Sequence, residues 1–444
     1  MLHRGLCDIS NEMKPTILIA ATAHWPSMAR LGMALANAGC TIEAVCPPRH
    51  PLGETSAVRR LHSYHGLAPL MSIKYAIAGA QPDFVVPGDD LAARHLHDLY
   101  HRELVHGGMR NPICKLIERS LGAPESFPVV YARATFAGLA QEEGVRVPRT
   151  EVITNANDLS SWVARMGLPT VLKTNGTSGG EGVRIIHTLE EAYSAFHSLQ
   201  SRPLLARAAK RALVNHDRTL VWPAISRRRS VINAQAFVTG SDATTAIACW
   251  KGTVLATLHF EVLNKRSSTG PSSVVRLIEN SEMSAATEKI VHRLHLSGLY
   301  GFDFMLEAET RNAHLIEVNP RATQVGHLTL GPGRDLPAAL SAAISGQPVR
   351  EAPKVTDNDT IALFPQEWMS NPSSRFLQSG YHDIPWEEPA LVRACICGIQ
   401  KGSAPRSRQR AVQVLLKGKG AFTLNAVPTP ERHAAGWITT HDKS

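Results

Sequence analysis

Apolar and polar positions along the chain change period several times, and each change marks an element. Thr16 to Ala20 (TILIA) is a continuous apolar run, Ser27 to Ala38 repeats its apolar residues at helical spacing and stops at Gly39, and Thr41 to Cys46 is apolar again. Asp83 to Pro87 (DFVVP) gives a further strand, followed by Gly88, Asp89, Asp90 and a helix-like stretch to about Arg102. Strand, helix and strand in this rhythm predict an open parallel α/β sheet whose ligands gather beyond the carboxyl ends of its strands. Asp89 and Asp90 stand at such an end, where capping the next helix is the favoured role.

From about Pro128 the pattern changes. Ala134 to Glu143 predicts a helix ending at Gly144, and another begins near Asn157. PTVLK and VRII read as two strands flanking the run TNGTSGGEG, and INAQAFV, AIACW and TVLATLHFEV as three more, the last two joined at Lys251-Gly252. A helix over Ser284 to Leu296 precedes the strands GFDFML and AHLIEVN, which a polar turn from Glu307 to Asn312 connects. Residues 348–444 are rich in Pro, Ser and basic side chains with few clear elements, and the apolar run from Leu391 to Ile399 reads as a strand that puts Cys395 and Cys397 on one face. No repeat recurs at a solenoid period.

A length of 444 residues suits about three domains, and 43% hydrophobic with 19% charged residues excludes a disordered chain and a small stapled scaffold. Lys and Arg number 47 against 38 Asp and Glu, a formal charge of +9 that suits anionic partners without choosing among them. The 7 cysteines lack CxxC spacing, so reduced thiols are expected. With no transmembrane-length apolar stretch and no signal peptide, the sequence predicts a cytoplasmic protein. Met13 lies just before the first strand, which makes residues 1–12 a mobile leader or a mis-assigned start.

Two features carry chemistry. The loop between Lys173 and Val183 holds Gly176, Gly179, Gly180 and Gly182 with Thr177 and Ser178. Glycines there let backbone N–H groups approach phosphate oxygens, and hydroxyls add donors. The lysine precedes the glycines and a strand follows them, so this is a hairpin over phosphates, with a plain flexible hairpin as the alternative, and not a Walker A loop. On HLIEVNPR, Glu317, Asn319 and Arg321 alternate onto one strand face while Ile316 and Val318 take the other. With Asp303 on the preceding strand they offer hard oxygen ligands for Mg²⁺ and a cation for a transferring phosphoryl group.

These residues resemble the ATP-grasp superfamily, in particular carboxylate–amine ligases and the related carbamoyl-phosphate synthase and biotin carboxylase domains, over about residues 14–345. The resemblance implies an α/β chain with an N-terminal open parallel domain (1–125), an ATP-grasp domain (126–345) with its phosphate loop at 174–182 and metal strands at 301–321, and a C-terminal region (346–444) without an assigned role. Ala132-Arg133 stands where the family has a DK pair; the resemblance implies that Arg133 keeps the charge facing the ATP phosphates, although a guanidinium is not equivalent to an ammonium. The second family lysine corresponds to Lys173. The family hinge looks like Gln235-Ala236-Phe237-Val238-Thr239-Gly240-Ser241-Asp242, which implies adenine contacts at Gln235, Phe237 and Val238 and a ribose contact at Asp242. Asp303, Glu317 and Asn319 match the metal ligands. Arg276, after SSTGPSSVV, is a candidate for holding a substrate carboxylate.

The implied reaction uses ATP and Mg²⁺, with Mn²⁺ as an alternative metal. Lys173 and Arg321 are its catalytic residues, and an amine displaces phosphate from an acylphosphate made on a small carboxylate. Partners would be these two small molecules and a second copy of the chain in a homodimer. The same-family alternative activates bicarbonate. An alternative from another class is a non-catalytic ATP- or nucleic-acid-binding protein that uses Arg227, Arg228, Arg229 and the basic tail (Lys401, Arg406, Arg408, Arg410, Lys417, Lys419), although neither cluster has the interleaved aromatics of a single-strand binder.

Overall fold

A computed structural model describes residues 14–175, 182–200, 231–267, 270–350 and 352–397. The leader, most of the glycine-rich loop including Gly176, Ser178, Gly179 and Gly180, the Arg227 to Arg229 run and the basic tail lie outside the described residues. The chain through Cys395 forms one compact unit, and the second unit, Ile396–Ser444, is almost wholly outside them.

The first sheet is built from β1 (Thr16–Ala20), β2 (Thr41–Cys46), β3 (Val58–Ser63) and β4 (Phe84–Pro87), ordered β3-β2-β1-β4 with parallel pairs throughout. Its central strands are apolar on both faces because helices cover both: Ile17 and Ile19 pack with Leu31 and Leu35 of the helix Pro26–Asn37, and Leu18 packs with Leu96 and Leu99 of the helix Asp90–Gly107. β1 has β2 on one side and β4 on the other, so the strand order reverses here and a crevice opens at their carboxyl ends. Asp89 stitches that crevice. Its carboxylate accepts from Thr22 N–H (2.6 Å), Thr22 Oγ1 (2.7 Å) and Ala23 N–H (3.0 Å), and caps the helix through Ala92 N–H (2.9 Å). Capping is thus what Asp89 does, while Asp90 turns toward another partner described below.

β5 (Thr150–Ile153), β6 (Thr170–Thr174), β7 (Val183–Ile186) and β8 (Ile232–Ala236) form a small antiparallel sheet in the order β5-β8-β6-β7. Trp162 and Phe196, from the helices Ala156–Met166 and Leu189–Gln200, cover one face over Leu172, Ile232 and Ala234. β9 (Gly240–Trp250), β10 (Thr253–Lys265), β11 (Ser272–Leu277), β12 (Gly298–Glu307), β13 (Ala313–Asn319), β14 (Thr360–Leu363) and β15 (Tyr381–Asp383) form a third sheet in the order β13-β12-β9-β10-β11-β14-β15, antiparallel except for β14 with β15. The helix Ser281–Arg293 seals one side of it with Met283, Ile290 and Val291. Gly122 (φ +96) lets the end of the helix Pro112–Leu121 meet this sheet: a Cβ there would lie 2.3 Å from the His295 carbonyl.

One expectation fails outright. Pro389–Cys397 is a helix, not a strand, so alternation does not apply to Cys395 and Cys397. A short apolar run cannot tell a buried strand from a buried helix turn, and proline at the first helical position tips this one. Cys40, Cys46, Cys114, Cys249 and Cys395 are buried free thiols, and burial pushes Cys46 and Cys395 up to about 12.

Candidate active site

Because Leu172, Ile232 and Ala234 face the helices, the alternate residues Lys173, Asn233 and Gln235 occupy the opposite face of the small sheet, where they too are buried. Lys173 is 8% exposed. Burial, helped by the Arg133 guanidinium, pulls its ammonium down to about 7, against the opposing pull of Asp303 and Asp242. Arg133 opens the helix Arg133–Glu142 and grips the base of the hairpin: its N–H donates to Asn175 Oδ1 (3.3 Å) and its Nε to the Thr174 carbonyl (3.3 Å). Its guanidinium pairs with Glu317. Burial lowers Arg133 to about 10 while Asp303 and Asp90 hold it up, so it stays cationic near neutrality. The hairpin itself closes where Thr174 N–H donates to Gly182 O at 3.0 Å.

The large sheet supplies the opposite wall. β12 and β13 pair with Asp303 across from Glu317 and Gly301 across from Asn319. Phe302, Phe304, Leu315 and Val318 fill the apolar cluster behind them, which forces the polar residues to the open face. Asn319 Nδ2 donates to Asp303 Oδ2 (2.9 Å) and Thr244 Oγ1 to Asp303 Oδ1 (3.0 Å). Arg321 Nε donates to Asp90 Oδ2 (2.9 Å), and one terminal nitrogen to Asn319 Oδ1 (3.3 Å). Burial disfavours the Arg321 cation, but Asp90, Asp303 and Asp89 together raise its pKa. A small cavity beside Arg133 and Glu317 is lined by polar Asp90, Tyr131 and Asn319 and, on its apolar side, by Phe136, Ile316 and Val318.

The donor set fits Mg²⁺. Two carboxylates and an amide oxygen are hard ligands on one strand pair, and among the described residues no three Asp, Glu, His or Cys side chains converge elsewhere or here. A site with only two carboxylates matches an ion that keeps several positions for waters and phosphate oxygens.

Between the walls the chain crosses from β8 to β9 through Phe237, Val238 and Thr239. Phe237 is 36% exposed there. Gln235 is turned away from the crossing, since its Nε2 donates to Thr150 Oγ1 (3.0 Å). Asp242 lies on the same sheet face as Asp303, beside Lys265, 2.5 Å away. Arg276 is on the other face of the large sheet, bound to Glu261 at 2.6 Å together with Arg311 at 2.9 Å. Those partners hold Glu261 at about 2 despite its burial. The arrangement leaves Arg276 outside the site and gathers Lys173, Arg133, Asp303, Glu317, Asn319 and Arg321 within it. Asp90, Thr244, Lys265, Asn175 and Asn233 join them; of these the sequence places Asn175 in the phosphate loop and Asp90 at a ligand-gathering strand end, and gives Thr244, Lys265 and Asn233 no role. Thr244 carries a readable signal too, since it alternates with Asp242.

Residues 132–330 match the family model described as carbamoyl-phosphate synthase L chain, ATP binding domain. The carbamoyl phosphate synthase arginine-specific large chain of Geobacillus stearothermophilus is 21% identical over 220 residues, 49% of this chain and 18% of that protein. A phosphoribosylamine–glycine ligase of Nostoc sp. is 32% identical over 68 residues, 15% of this chain and 16% of that protein. The chain thus spans less than a fifth of the length of these relatives. Among solved structures, N5-carboxyaminoimidazole synthetase from Staphylococcus aureus superposes with TM-score 0.52 at 13% identity, covering 77% of this chain and 80% of that one. The biotin carboxylase domain of Hydrogenobacter thermophilus 2-oxoglutarate carboxylase, a dimer solved with MgADP and bicarbonate, gives TM-score 0.54 at 15% identity over 76% and 70% of the two chains. The fold is the ATP-grasp fold, and the chain is similar to its ligases.

Proposed function

We propose that this ATP-grasp chain is an ADP-forming ligase that phosphorylates a small carboxylate and passes the acyl group to an amine. The observation that carries the reading is the pair of facing walls: Lys173 and Arg133 on one side, and Asp303, Glu317, Asn319 and Arg321 on the other. Phosphoryl transfer asks mainly for positioning and charge balance, and these residues supply both. The base would lie at the Phe237 to Thr239 crossing, where backbone groups are available, with Asp242 near the ribose. Lys173 and the hairpin backbone would hold the phosphates, and Asp303, Glu317 and Asn319 would hold Mg²⁺, which when bound neutralises developing charge on phosphate oxygens.

A carboxylate oxygen would attack the γ-phosphorus as ADP leaves. The amine would then attack the acyl carbon, losing a proton as phosphate leaves. Arg321, oriented by Asp90, would stabilise charge on the transferring group through its remaining N–H donors. The chain would work in the cytoplasm as a homodimer, which sedimentation can check.

A matrix of small carboxylates and amines tests the proposal, with bicarbonate among the carboxylates because of the solved relatives. ADP release, hydroxylamine trapping of the activated acyl group and mass detection of product are the readouts. Carboxylate alone should give trappable acyl group and slow ADP release; AMP and pyrophosphate in their place would overturn the reading. Turnover with bicarbonate and no other carboxylate would move the reaction to the bicarbonate branch.

A further inference from the structure

Asn233 of β8 lies directly opposite Lys173 of β6, so the two side chains share the face of the small sheet turned away from its helices. Asn233 is 0% exposed. The orientation of its amide follows from its neighbour: Asn175 Oδ1 accepts the Arg133 N–H at 3.3 Å, so the Asn233 atom 2.8 Å from that oxygen is the nitrogen. The same Nδ2 reaches the Lys173 carbonyl at 3.4 Å. Its donors are thereby engaged, while Oδ1 is buried with no partner. Native interiors rarely leave such an acceptor alone. Lys173, across the strand pair, brings three N–H donors and makes no hydrogen bond or ion pair to another described residue.

We propose that Asn233 is a positioning residue for Lys173: its Oδ1 accepts one N–H of the ammonium when nucleotide phosphates engage the others. This rests on the nucleotide reading above. An ammonium on a four-carbon stem has no preferred direction of its own, unlike a planar guanidinium. A fixed acceptor one strand away gives it one. The same amide chain, Asn233 to Asn175 to the Arg133 backbone, ties both phosphate-facing cations to the base of the hairpin.

Threonine and valine have the same shape, both suit a strand, and only threonine offers an acceptor, so Asn233→Thr and Asn233→Val isolate that oxygen. In the full chain, calorimetry with MgADP should show affinity weakened about tenfold in Asn233→Val and within about threefold of the parent in Asn233→Thr, the scale of one hydrogen bond to a charged group. Thermal unfolding of the nucleotide-free variants should be alike. A crystal structure of the parent with MgADP should place Lys173 Nζ within about 3.2 Å of Asn233 Oδ1. Equal MgADP affinity in the two variants, or a separation beyond about 4 Å in the complex, overturns the proposal. If neither variant folds, the distance in the parent complex decides. A parent that binds no MgADP would instead sink the nucleotide reading.

Discussion

Lys173 concentrates the cost and the use of this site in one side chain. Its ammonium falls from 10.5 to about 7 because it is buried beside Arg133. Between those values the unfolded chain binds more protons than the folded one, so this group makes the nucleotide-free protein more stable as pH rises from about 7 toward 10.5. Lys173→Met should therefore raise the melting temperature near neutral pH by on the order of 2 °C or more, a gain bought with function. MgADP affinity should fall as pH rises through 7 in the parent and be low and flat in Lys173→Met. A destabilised variant, or an unchanged pH profile, would show that the ammonium is solvated. Glu317 makes a different prediction. Glu317→Gln keeps shape but removes a ligand charge, so turnover at saturating ATP and Mg²⁺ should drop on the order of 10²–10³ while nucleotide affinity changes far less. Turnover within a few-fold of the parent would leave the strand a structural polar face.

At the scale of elements, the crossing from β8 to β9 makes one wall answer to the other. β9 enters the large sheet at Gly240, opposite Glu307, and a Cβ at Gly240 would lie 1.9 Å from the Leu306 carbonyl. Gly240→Ala must push β9 off β12, costing about 1–3 kcal/mol by overpacking. Since Asp242 and Thr244 follow on the same face, the Michaelis constant for ATP should rise with the loss of stability; a variant with unchanged melting and kinetics would refute the close approach. The alternation of Glu317 and Asn319 around Val318 is readable because one strand carries its own period, but β13 ends at Asn319, so Arg321 reaches the site from the turn that follows, and a register shift leaves Ile316 lining the same cavity as Glu317. Arg276 is not readable, because which face of a sheet a residue takes depends on register with neighbours: it pairs with Glu261 while Leu277 pairs with the buried Phe260. Gln235 shows the same limit, as its amide is claimed by Thr150 on the adjacent β5. Asn233 looked like an ordinary strand residue until pairing put it across from Lys173.

Across the whole molecule, the last described strand is tied to the first helix through one buried carboxylate. Asp383 of β15 receives Arg30 Nη2 at 2.5 Å from the helix Pro26–Asn37 and sits 2.7 Å from His327 Nε2, in the turn that follows β13. Little in the sequence links residues so far apart, which is why the segment after 348 looked featureless. Burial alone would raise the Asp383 pKa, but His327 and Arg30 outweigh it and hold the carboxyl below its usual value. A depressed carboxylate contributes stability that is complete above its unfolded pKa, about 3.9, and is lost as pH falls through the lower folded value. Asp383→Ala leaves the buried Arg30 charge to the exposed Glu387, 3.4 Å away, and should cost about 3 kcal/mol, whereas Arg30→Met with Asp383→Leu, which removes both charges of the pair, should cost much less than the sum of the single changes. The double variant should also lose part of the acid limb of the stability profile below about pH 4. Because His327 shares the carboxylate, Asp383→Asn should disturb the turn after Arg321 and lower turnover more than MgADP affinity. Denaturant melts across pH, read beside steady-state kinetics, check all three. If the single and double variants add, the N-terminal helix and β15 are joined by packing alone and the carboxylate is incidental.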